Sequence, residues 1–179
     1  MKSSTSEFLT IRGLKSHVRL WGPPDAPKLF LLHGWMDCSA SFQFLVDAFA
    51  REWRVIAPDW RGFGQSEWLH RSYWFPDYLA DLERLLDHYA PEEAVRLIGH
   101  SMGGNVVGLY AGARPVRVAK LAILEGFGLH PTDPAQAPGR STIHGPSTGA
   151  NSAFGKSRLK AQGRVTRWFF GFRRERKQP

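Results

Sequence analysis

Residues 94–104 read Ala94-Val95-Arg96-Leu97-Ile98-Gly99-His100-Ser101-Met102-Gly103-Gly104, and a mostly apolar run, Asn105 to Ala113, follows. Ala94–Gly99 has the length and β-branched content of a buried strand. Gly103–Ala113 reads as a helix. Between them lies a G-x-S-x-G pattern centred on Ser101. The chemistry of a nucleophilic serine needs that context, because its hydroxyl must stand clear of a sheet on a sharp, strained turn. Glycines two residues to either side let the flanking backbones approach without a Cβ. The N-terminus of the following helix favours negative charge developing beside the serine. The bland alternative is a Gly-rich strand-to-helix turn with a capping Ser.

Working outward, apolar runs alternate with turn signals. Phe8–Arg12 and His17–Trp21 show partial strand alternation around Gly13, as a hairpin does. Lys28–Leu32 is a continuous apolar run, suited to a strand covered on both faces. Phe42, Leu45, Val46 and Phe49 follow helical spacing. Arg54–Ala57 is the next strand, stopped by Pro58-Asp59. Tyr78–Tyr89 carries Leu79, Leu82, Leu85 and Leu86 at helical spacing, with Asp77 as its cap. Ala119–Leu124 is the last strand. Two strands followed by β-α-β-α-β-α-β predict an α/β fold: a mostly parallel sheet of about six strands with helices on both faces. Sites in such sheets lie at the carboxyl ends of the strands.

The chain has 179 residues and a formal net charge of +8. That charge is not spread evenly. Residues 1–140 hold 15 basic and 15 acidic side chains, whereas residues 141–179 hold nine basic and one acidic, Glu175. The body therefore offers no broad electrostatic reason to bind phosphate. Composition shifts near Gly139-Arg140 to a basic Gly/Ser/Arg-rich stretch without periodicity. The expected organisation is a core over residues 1–138 and a basic tail, disordered, over 139–179. Arginines mix with aromatics in Arg164–Arg174, so weak contact of this tail with polyanions or an anionic membrane is an open reading. No specific nucleic acid is expected. One cysteine, Cys38, excludes an internal disulfide framework and fits a reducing, cytoplasmic setting. No apolar run is long enough to span a membrane and the start lacks a signal-peptide core.

Two further motifs join the first: His33-Gly34-Trp35-Met36-Asp37, after an earlier strand, and Asp59-Trp60-Arg61-Gly62-Phe63-Gly64-Gln65-Ser66. HGWMD, DWRGFGQS and GHSMGG in this order resemble the α/β-hydrolase family, in its serine-hydrolase-like branch, over roughly residues 6–138. The resemblance implies an esterase-like acyl-bond hydrolase with Ser101 as nucleophile. It implies that the backbone N–H groups of Trp35 and Met102 form the oxyanion hole, within a loop that includes His33 and Gly34. It implies that Asp59 and Arg61 hold their turn, and that Trp35, Trp60 and Phe63 either line a pocket or fill the core. The substrate is then a small ester-like molecule, with no cofactor. No metal is expected, since no cluster has ligand spacing.

The family also needs a base and an acid after the serine. Glu125, ending the strand LAILE, is the candidate acid or else an exposed loop carboxylate. Only His130 and His144 follow Ser101, and neither sits in the context the family gives its base. His100, adjacent to Ser101, is poorly placed for that role. The family sheet has eight strands against six here, so the fold reads as incomplete, its C-terminal part lost and activity impaired. A noncatalytic binding module with a basic tail is the rival reading. Oligomeric state is not readable.

Overall fold

A computed structural model describes residues 1–70 and 72–126. The tail expected over 139–179, with His130 and His144, lies outside the described residues.

Six strands form one sheet: β1 (Ser4–Ile11), β2 (Leu14–Trp21), β3 (Lys28–Leu32), β4 (Arg54–Pro58), β5 (Val95–His100) and β6 (Val118–Leu124). Their spatial order is β1-β2-β4-β3-β5-β6. β1 and β2 are an antiparallel hairpin, and β2 meets β4 antiparallel. The contacts β4–β3, β3–β5 and β5–β6 are parallel. The sheet is thus the mostly parallel one that the alternation implied. The hairpin turn is Arg12-Gly13, with φ of 49° and 82°. Positive φ at both central residues matches the right-handed twist of the flanking strands. Arg12, expected inside the first strand, is therefore in the turn.

Alternation along the central strands sends side chains to two cores. Phe30, Leu32, Ile56 and Leu97 face one side and pack with Leu82, Leu85, Leu86, Val106 and Val107. Those last residues belong to α2 (Phe75–Tyr89) and α3 (Met102–Ala113). Leu29, Leu31, Val55 and Ala57 face the other side with Trp21, Phe42 and Val46. There the cover is a 3-10 turn, Ser39–Phe42, running into α1 (Gln43–Asp47). Helices therefore lie on both faces, although the helix expected over 42–49 has only five α-helical residues.

Asp77 is not the cap of α2. The helix begins at Phe75 with Pro76 in its first turn, and Trp74 is the N-cap residue. Proline costs nothing there, since its missing N–H would have no helical acceptor. Asp77 instead sits in the first turn, where an anion suits the helix dipole. No helix among the described residues is long and apolar enough to cross a membrane.

Candidate active site

The carboxyl ends of β3, β4 and β5 bring the three motifs together. Ser101 joins β5 to α3 with φ 50° and ψ −114°. Few non-glycine residues adopt such a conformation, and surrounding contacts must hold it in place. A Cβ on Gly99 would collide with the Gly103 carbonyl group and lie 2.6 Å from Gly104 N. A Cβ on Gly103 would collide with the Leu32 carbonyl and lie 2.6 Å from the His33 oxygen. Both obstacles are backbone, so neither can swing aside. Ser101 N–H donates to the Leu124 oxygen of β6 at 2.9 Å, and the Ser101 oxygen accepts from Asn105 N–H at 3.1 Å. The serine is thus clamped by its backbone, while its side chain makes no cap to the helix.

The loop after β3 abuts this turn. A Cβ built on Gly34 would sit 3.2 Å from Ser101 Cβ and 3.2 Å from His100 Nδ1. His33 is fully buried and fixes the loop. Its Nε2 accepts the Trp60 N–H at 2.9 Å, so in the neutral ring Nδ1 carries the proton donated to the Gly34 oxygen at 2.8 Å. Trp60 Nε1 closes the circuit on the His33 oxygen at 2.9 Å. Burial pushes the His33 pKa down despite the Gly34 hydrogen bond, which favours that neutral form. Trp35 and Met36 are exposed, and Met36 has φ 56°. Among the described residues, the loop and turn hydrogen bonds leave the Trp35 and Met102 N–H groups free.

The turn after β4 supports both loops. Asp59 accepts from Ser39 N–H at 2.6 Å and Gln65 N–H at 2.9 Å. Burial opposes its ionisation, yet those amides, with the hydrogen bond from the His17 ring, hold its pKa below the ordinary value. Arg61 reaches instead to α2, where Nε and Nη2 each lie 2.5 Å from an Asp81 carboxylate oxygen. Asp59 and Arg61 therefore tie the turn to different elements rather than to each other. Of the aromatics, Trp60 is core against Tyr78. Phe63 and Trp35 stack edge to face at 5.1 Å near the loop surface.

Glu125 follows β6 with φ 51° and an 87% exposed side chain. Its carboxylate stands 3.9 Å from His100 Nε2. That approach was missed in the sequence. Its signal is that His100 ends β5 and Glu125 follows directly on the adjacent parallel strand β6, where Leu124 is paired with His100. His100 has Nδ1 beside the Gly34 loop and Nε2 towards Glu125.

The profile of the family described as alpha/beta hydrolase fold matches residues 27–161. A serine hydrolase-like protein of Danio rerio is 35% identical over 138 residues, which are 74% of this chain and 41% of that protein. Epoxide hydrolase 4 of Homo sapiens is 34% identical over 114 residues, 63% of this chain and 31% of that one. A solved thioesterase domain from the curacin biosynthetic pathway superposes with a TM-score of 0.63 at 30% identity, covering 66% of this chain and 43% of its own. The chain spans about two fifths of the zebrafish relative's length and less of the human one's.

Proposed function

The chain belongs to the alpha/beta hydrolase fold family, and from that premise we propose that it carries the nucleophile-bearing part of a serine hydrolase for small ester-like substrates. The observation that carries this reading is the backbone of Ser101, held at φ 50°, ψ −114° between β5 and α3. In the proposed step Ser101 Oγ attacks the substrate carbonyl carbon, and the carbonyl electron pair moves onto oxygen. The N–H groups of Trp35 and Met102 receive that oxyanion, each such donor being worth about 3 kcal/mol. Collapse expels the leaving group and leaves an acyl-Ser101 for water to cleave. Glu125 is the candidate acid. The Ser101 proton needs a base, and the Ser101 side chain makes no capping hydrogen bond to α3. A hydroxyl at the elbow, rather than a carboxylate, favours acyl transfer over epoxide opening.

Labelling with a fluorophosphonate, resolved to the modified peptide, tests the reading. Ser101 should react in this chain two to four orders of magnitude more slowly than with a positioned base, the usual contribution of general-base catalysis. Added imidazole should quicken it, and Ser101→Ala should remove that adduct. A Ser101 that stays unlabelled with imidazole present would defeat the assignment. Rapid labelling without imidazole, abolished by Ser101→Ala, would show that a base acts on Ser101 that the described residues do not reveal.

A further inference from the structure

A second serine ends a hydrogen-bonded relay on the β-hairpin. In the β1–β2 register Ser6 faces Arg19 and Phe8 faces His17, so Ser6 and His17 are diagonal neighbours on one face. His17 Nε2 lies 2.9 Å from Ser6 Oγ. His17 Nδ1 lies 2.8 Å from Asp59 Oδ2. His17 is fully buried and Asp59 is 3% exposed, whereas Ser6 is open to solvent. The Phe8 ring packs against the imidazole, with centroids 5.2 Å apart.

The proton positions follow from the partners. The Asp59 carboxylate only accepts, so Nδ1 carries the ring proton toward it. The Nε2 lone pair of the neutral ring then accepts Ser6 Oγ–H. Hydroxyl, imidazole and carboxylate thus stand in the order that prepares a serine for attack. Ser4 supplies the contrast on the same strand and face. Its Oγ accepts from Arg19 Nη1 at 3.0 Å, which withdraws electron density and offers no base.

We propose that Ser6 is a second nucleophilic site, open to covalent modification by activated phosphoryl and acyl electrophiles. With a fluorophosphonate, Ser6 Oγ forms the O–P bond as the P–F bond breaks. Fluoride leaves, and the hydroxyl proton passes to His17 Nε2 and on to solvent. The product is a stoichiometric adduct, formed independently of Ser101.

The test uses the chain carrying Ser101→Ala and a biotinylated fluorophosphonate. Fragmentation of the tryptic peptide Ser3–Arg12 locates the adduct. Ser6 should be labelled about 100-fold over Ser4, the lower end of general-base assistance. Ser6→Ala should abolish that adduct. His17→Gln should reduce Ser6 to the level of Ser4, and if that variant does not fold, the Ser6 to Ser4 ratio decides alone. Equal labelling of the two serines, no adduct at Ser6, or full labelling in a folded His17→Gln chain would overturn the proposal.

Discussion

At the scale of single residues, the candidate site is a set of places where a side chain is forbidden or a charge is enforced. Gly103 is the first kind. Its α-hydrogen faces the carbonyls of Leu32 and His33, so a methyl there must push β3 and α3 apart. Gly103→Ala should destabilise the chain by about 3 kcal/mol, the upper range for overpacking, seen as a lower denaturation midpoint. Asp59 is the second kind. Its pKa is lower folded than unfolded, because Gln65 and Ser39 amides reward the anion in spite of burial. The stability it confers is complete above the unfolded-state value near 4 and is lost as pH falls through the depressed folded value. Asp59→Asn should cost about 2 kcal/mol at neutral pH, since an amide N–H₂ would face donor N–H groups. Urea unfolding from pH 7 to pH 2 checks this: the curves of the two proteins should converge in acid, and a constant gap would contradict the linkage. The glycines and Ser101 were readable in the sequence because G-x-S-x-G has a steric reason visible in residue types. The His17–Asp59 contact was not, because a residue 42 positions away enters only through sheet pairing.

At the scale of elements, periodicity revealed most of the architecture, and the misreadings have local causes. The central strands stood out as short apolar runs because they are covered on both faces, as Phe30 and Leu31 show by being fully buried in different cores. The helix over 42–49 was overread, since Phe44 fits no apolar face and is 80% exposed. The start of α2 was misread because Pro76 was not weighed as a first-turn residue, and Asp77 drew the boundary three residues late. The work Asp77 does is tertiary. Together with Asp81 it receives Arg61 from the loop after β4 and Arg12 from the hairpin turn. This cluster pins α2 to both. Arg61 is almost buried, so its removal leaves Asp81 short of a partner. Arg61→Leu should cost about 3 kcal/mol, the lower end for breaking a buried pair, because Arg12 still stands 3.3 Å from Asp81. Arg61→Lys should recover only part, since an ammonium cannot match the two-point contact. Chemical denaturation of the three proteins measures both. Equal stability of all three would show that Arg12 alone neutralises the cluster.

At the scale of the whole described structure, the sheet has its candidate nucleophile, Ser101, beside its last strand. Ser101 N–H is bonded to β6, and β6 is the last strand in the order. Among the described residues β6 pairs only with β5. An apolar strand in that position presents unpaired backbone groups to a second copy. Part of it carries protection that the sequence reading did not foresee. Val95 faces Val118 and Arg96 faces Lys120, so Ala119 has no partner and the register shifts there. An irregularity of this kind beside a lysine is one of the ways edges resist pairing. The protection stops before the site. From Leu121 to Leu124 the strand is regular, and Ile123 and Leu124 are 42% and 40% exposed. Association through this stretch should therefore strain the clamp on Ser101 as well as lower solubility. The chain should self-associate at micromolar concentration, read by light scattering, and Leu124→Lys should suppress it by placing a charge on the open stretch while leaving the Leu124 carbonyl in place. A wild-type chain that remains monomeric at that concentration, with one cooperative unfolding transition, would show that β6 is covered by chain beyond residue 126.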